Sequence, residues 1–284
     1  MKRIWTIVII ISFLPVFFQN SFGQYFGRNK VNYEQFDFKI YETPHFEIYH
    51  YLDNKEVLKD FAQLCERWYV RHQAIFLDTL EEKNPIILYN NHADFQQTTV
   101  IQSLIGVGTG GVTEGFRNRV VMPIMKSNAE TNHVLGHELV HVFQYLSFKK
   151  ADTIRFQSIG QIPLWMIEGL AEYMSIGKSD VQTAMWMRDA VKNDDIPTLK
   201  DMTRKPHKYF PYRYGHAIWV YITSNWGDAV IKPLLFGTAK RGYKRAVDSI
   251  LGVSADTLSM VWEQDLKDSY GHYMDEKEVP AVSK

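Results

Sequence analysis

Hydrophobic and polar positions along this chain pass from a mixed rhythm to a helical one close to residue 127. Before it, strand-spaced segments flank one helical stretch. The segment "PHFEIYHYL" (44–52) alternates, with Phe46 and Ile48 on one side, and predicts a half-buried strand. Residues 54–77 switch to helical spacing, with Val57, Phe61, Leu64, Trp68 and Ile75 on or near one stripe. "PIILYNN" (85–91) predicts a second, mostly buried strand. It is followed by a glycine-rich turn and an alternating run that ends at Pro123. From Ser127 onward the pattern is almost entirely helical. Ser127 and Glu130 have capping-box spacing and set the start of the next helix. Pro163 opens another helix in its first turn and Gly177 closes it. Helical runs follow at about 180–193, 214–225, 227–238, 241–251 and 255–271. Strands first and helices afterwards predict an α+β fold, a small mixed sheet with a mostly helical C-terminal lobe.

The two ends stand apart from this pattern. Met1, Lys2 and Arg3 make a short basic start, and uncharged, apolar residues run from Ile4 to Phe18. Small residues Ser21 and Gly23 then precede Gln24, as at a signal-peptidase site, so residues 1–23 are expected to be a signal peptide. A run of about 15 apolar residues is short for a membrane span, and no stable span is expected after cleavage. Residues 24–43 read as an extended lead-in, 44–272 as one domain, and 273–284 as a charged tail. The 284-residue chain has 32 basic and 32 acidic residues and no basic block, which argues against nucleic-acid binding. Loss of Lys2 and Arg3 would leave the exported form, periplasmic or extracellular, mildly acidic. Cys65 is the single cysteine, inside an apolar helical stretch. Stability therefore comes from the core and not from a disulfide.

Two motifs bear on chemistry. Gly106, Gly108 and Gly111 satisfy G-x-G-x-x-G, but a strand-like run follows where a dinucleotide site needs a helix, so a flexible turn is expected. No G-x-S-x-G elbow is present. The stretch "NHVLGHELVHVFQY" (132–145) is more specific. His137 and His141 differ by four residues, about 40° around a helix and about 6 Å along it, so both imidazoles can converge on one ion. Glu138, turned by about 100° from His137, suits a general base. His133 stands about 12 Å from His141 and is expected to be structural or supporting. The helix beginning at Pro163 places Glu168 and Glu172 one turn apart in apolar surroundings. Buried carboxylates need a compensating cation or donors, and a zinc ion would supply the cation. Spacing alone does not say which of the two reaches it. Gly169, having no side chain, suggests that the turn of Glu168 packs closest to the histidine helix.

"HELVH" followed by "EGLAEY" on a later helix resembles the gluzincin metallopeptidases of the thermolysin and aminopeptidase N type. It resembles above all the peptidase-MA-like domains of exported bacterial proteins. The likeness extends to "LYNNHADFQQTTVI", "GVGTGGVTEGFRNRVVMPI" and "YRYGHAIWVYI", and so to most of residues 40–270. It implies a zincin-like fold, with a small mixed sheet over the HExxH helix. The implied ligands of Zn2+ are His137, His141 and Glu168, with Glu172 supporting a ligand and Glu138 as base. The spacer between His141 and Glu168 is longer than in the aminopeptidase type. A TolB-like propeller, a frequent companion of such domains, is not expected here, since the domain is followed by the charged stretch "MDEKEVPAVSK". An oxyanion donor is expected among Tyr212, Tyr214 and His216, with Tyr214 first and His216 second. The run from Val112 to Met122 is expected to be an edge strand that binds an extended peptide. The reading is an exported zinc-dependent peptidase acting on peptides or proteins, with an envelope protein as a further partner. Its rival is a zinc-containing binding or assembly module of the envelope with little catalysis, which would have no use for Glu138.

Overall fold

The computed structural model describes residues 32, 34–151 and 156–271. The expected signal peptide and charged tail lie outside the described residues. The fold is α+β. Five strands form one mixed sheet: β1 (Lys39–Glu42), β2 (Phe46–His50), β3 (Asn84–Tyr89), β4 (Val112–Glu114) and β5 (Arg119–Pro123). The order is β1-β2-β3-β5-β4, with β2, β3 and β5 parallel to one another and β1 and β4 antiparallel at the edges.

Strand alternation divides the core. Phe46, Ile48, Ile86, Leu88, Val120 and Met122 are fully buried on the face covered by helices. Tyr89, Val121 and Ile87 point the other way and pack with Phe36, Phe38 and Phe95. β1 falls within the expected lead-in, so that segment joins the sheet. The run from Val112 to Met122 is not one edge strand, which corrects the expectation. A turn over 115–118, with Asn118 in the left-handed region at φ 50°, folds it into a hairpin. An Arg119–Glu114 ion pair bridges the two strands at the turn. Only β4 lies at the edge; β5 is interior, between β3 and β4.

Helix α1 (Lys55–Phe76) is capped by Asn54, whose side chain accepts from the Glu56 and Val57 amides, and it connects β2 to β3. Cys65 on α1 is buried, and burial pushes its thiol pKa well up, consistent with a packing role. A single turn, α2 (His92–Phe95), follows β3. Helix α3 (Asn128–Lys150) carries the histidines and starts where expected, with Ser127 Oγ accepting from the Glu130 amide at 3.2 Å. It seats on α1 at Gly136, where a side chain would stand 2.6 Å from the Trp68 ring. His72 Nε2 donates to the Gly136 carbonyl at 2.9 Å.

Helix α4 (Leu164–Ile176) is apolar on nearly every side, as befits the central helix of the lobe. The remaining helices are α5 (Val181–Lys192), α6 (Leu199–Arg204), α7 (Pro211–Trp226), α8 (Ile231–Arg241), α9 (Tyr243–Leu251) and α10 (Ala255–Tyr270). Two of the short helices, α2 and α6, have too few residues to show a period. Gly169 does not face the histidine helix, which corrects the reason given for Glu168. A Cβ there would lie 2.2 Å from the Gly215 carbonyl carbon, so Gly169 and Gly215 set the close crossing of α4 and α7. The Trp219 indole seals the crossing by donating to the Met166 carbonyl at 2.9 Å. No helix among the described residues is long and apolar enough to cross a membrane.

Candidate metal centre

Three side chains from α3 and α4 meet at one point. His137 Nε2 and His141 Nε2 are 3.2 Å apart, and each is 3.3 Å from Glu168 Oε2. Donor atoms around a tetrahedral ion with bonds of about 2.0–2.1 Å are separated by about 3.3 Å. Two imidazoles and one carboxylate at this separation fit a metal ion. A closed structural site would normally carry cysteine instead.

The rings are held so that their lone pairs converge. His137 Nδ1 is 2.9 Å from Glu172 Oε1, and a carboxylate can only accept, so Nδ1 carries the hydrogen and Nε2 faces the triangle. His141 Nδ1 is likewise 2.9 Å from Gln144 Oε1. Gln144 in turn donates from Nε2 to the Ile167 carbonyl at 3.2 Å, which ties α3 to α4 next to Glu168. Burial opposes the charged form of His137, but hydrogen bonds to Glu168 and Glu172 prevail and push its pKa up to about 10. Burial also works against ionisation of Glu168, yet His141 and His137 hold its carboxyl well below the usual range. Without a metal, protons supply the positive charge these carboxylates require.

A second cluster, His133, His137 and Glu172, also brings ligand atoms together. Both imidazoles there address one oxygen, with His133 Nε2 at 3.0 Å from Glu172 Oε1. The other oxygen, Oε2, is 3.0 Å from the Arg213 guanidinium, which also lies 3.2 Å from Asp180 Oδ2. A fixed cation at that distance repels a metal, so this cluster is a buttress for His137.

Glu138 is buried under the edge of the sheet. Thr113 pairs with Val120 across the β4–β5 hairpin, and Val120 faces the helices. Thr113 therefore points at α3, with its hydroxyl 2.7 Å from Glu138 Oε2. Gly111 allows the approach, because a Cβ there would meet Glu138 Oε1 at 3.0 Å. That is the role of the third glycine in the G-x-G-x-x-G match. Gly106 and Gly108 face open space.

The three residues named as oxyanion donors sit in different surroundings. Tyr214 packs edge-on against Tyr209 and Trp186, and burial followed by Asp195 pushes its phenol up to about 12. His216 gives its Nε2 hydrogen to the Gly177 carbonyl at 2.7 Å. Neither is engaged at the donor triangle: Tyr214 lies about 200° around α7 from Tyr212, and His216, one turn beyond Tyr212, is committed to Gly177 instead. Tyr212 is the one of the three that is. Its ring stacks on His137 at 5.6 Å and 15°, and burial, then Glu168, raises its phenol far above the ordinary range. Tyr145, one turn beyond His141 on α3, is a second phenol whose ionisation is opposed by burial and then by Glu168 and Glu138. Sequence reasoning left out Gln144, Tyr145, Thr113 and Arg213. Helical spacing from His141 could have drawn in the first two; no local signal points to the others.

Metal affinity should depend on pH in a stated direction. His137 is protonated below about 10 in the metal-free protein, so metal binding must displace that proton. Apparent affinity should rise about tenfold per pH unit for each proton released over about pH 6–8, read by competition with a chromophoric chelator. An affinity flat across that range would contradict the assigned ligands.

Fold and site together define an α+β protein with a buried His/Glu cluster that can hold a metal ion. The sequence profile of the family described as "Peptidase of plants and bacteria" matches residues 115–259, from the β4–β5 turn into α10. The chain belongs to this peptidase family. No curated protein is significantly similar to it in sequence.

Proposed function

We propose that the protein is an exported, zinc-dependent metallopeptidase of the gluzincin type. The observation that carries this reading is the triangle of His137 Nε2, His141 Nε2 and Glu168 Oε2 at 3.2–3.3 Å, with the Glu138 carboxylate beside it. Zinc, when bound by these three residues, supplies a Lewis acid that polarises the scissile carbonyl and acidifies water. Glu138 accepts a proton from the attacking water and returns it to the departing amine nitrogen. The Thr113 hydroxyl holds that carboxylate in place throughout. Tyr212, which keeps its hydrogen at neutral pH, donates to the developing oxyanion. β4 offers its free edge to an extended peptide, the mode in which main-chain hydrogen bonds give affinity. Export rests on the basic and then apolar start of the chain, and an exported form whose mature sequence begins near Gln24 would bear it out.

The test is digestion of a mixed peptide pool by the purified, zinc-loaded protein. Cleavage should stop on chelation and return when zinc is added back. Cleavage that continues in excess chelator would rule out the metal mechanism. A zinc-loaded protein that leaves every pool intact would favour the binding-module alternative.

A further inference from the structure

Aromatic packing at the site does not stop at Tyr212. Phe210 packs against it with centroids 5.0 Å apart at 30°, and Trp186 on α5 continues the tier at 5.7 Å and 34°. The tier therefore leads outward from His137, a member of the donor triangle, to a side chain that is 41% exposed. Phe210 is placed rigidly. It is the N-cap residue of α7, directly before Pro211, and the proline ring restricts it to the extended backbone it adopts at φ −55°, ψ 114°. The neighbouring charge is turned elsewhere, since Arg213 is engaged with Glu172, Asp180 and Gln182. A row of three aromatic rings thus runs outward from the centre on the α7 side, with Tyr212 innermost, while β4 borders the centre on the Glu138 side.

We propose that Tyr212, Phe210 and Trp186 form a subsite for an aromatic or large apolar side chain of the peptide, with Phe210 as the specificity-determining residue. This rests on the peptidase reading above. An extended peptide along β4 directs alternate side chains to opposite sides, and those turned away from the sheet meet the tier. Ring steps of 5.6 and 5.0 Å keep Phe210 within about 11 Å of His137, about three residues of extended chain. The preference therefore applies to one of the first three residues on one side of the scissile bond. Aromatic faces favour an incoming ring in offset or edge-on packing, beyond the gain from burying its area.

The experiment uses two capped peptide pools that are identical except for Phe or Ala at each of those positions in turn. Hydrolysis by the zinc-loaded protein is compared with calorimetric binding of the same peptides to the zinc-loaded Glu138→Gln protein. Phe should be preferred over Ala by about 10–100-fold in kcat/KM at one position. Phe210→Ala should reduce that ratio to about threefold or less, and Phe210→Trp should retain it, with zinc content unchanged in both and both proteins folded at the assay temperature. A Phe210→Ala protein with the wild-type ratio would overturn the subsite. So would hydrolysis with no aromatic preference, which leaves the peptidase reading intact. An aromatic binding preference that Phe210→Ala abolishes, found with no hydrolysis, would instead sink the peptidase reading and leave the subsite standing. Neither binding nor hydrolysis would overturn both.

Discussion

Glu138→Gln should lower peptide hydrolysis by about 10²–10⁴-fold while zinc content stays near one ion per chain. The substitution is nearly isosteric. Its amide oxygen can still accept from Thr113, which lies 2.7 Å from Oε2, so the β4 contact survives. What is lost is the ability to take a proton from water and give it back to the amine, because an amide is a negligible base. His137, His141 and Glu168 make their mutual contacts without this carboxylate, so the metal should stay. The measurement pairs kcat/KM on a cleaved peptide with metal analysis of the same preparation. Equal activity in the two proteins would remove Glu138 from the mechanism. Loss of zinc together with activity would move it into the ligand set.

Glu168 and Glu172 lie one turn apart on α4 and should respond differently to the same truncation. Glu168→Ala removes an oxygen that is 3.3 Å from both imidazole nitrogens and should strip the metal. Glu172→Ala removes the acceptor for His137 Nδ1 and should leave the metal bound about 10–100-fold more weakly. It should also lower stability, since Arg213 and His133 lose their shared buried partner. Zinc titration into the two metal-free variants, with a thermal melt of each, separates these roles. The opposite order of affinities would mean that the ion sits in the His133–His137–Glu172 cluster.

Much of this organisation was legible in local pattern. The burial of Phe46 and Ile48 in β2, the Ser127 cap of α3 and the limits of α4 at Pro163 and Gly177 all lie where periodicity and capping residues put them. The His137/His141 pair was legible because a four-residue interval on a helix fixes the relation of two side chains whatever surrounds them. Pattern also led astray at the hairpin. Alternation from Val112 to Met122 continues through the turn at 115–118, so one strand and two strands present almost the same sequence there.

The surroundings of the histidines belonged to tertiary structure. Thr113 reaches Glu138 only because register places it opposite Val120, and register is a relation between two strands. On α7, Tyr212 and His216 share one side and Tyr214 lies opposite, yet Tyr212 stacks on His137 while His216, one turn further along, bonds to Gly177. Which face of α7 meets the centre depends on how it crosses α4, and that crossing is set where Gly169 meets Gly215, 46 positions apart in the chain. Helix periodicity states which residues share a face. Only the packing of two backbones at a point without side chains decides where that face is turned.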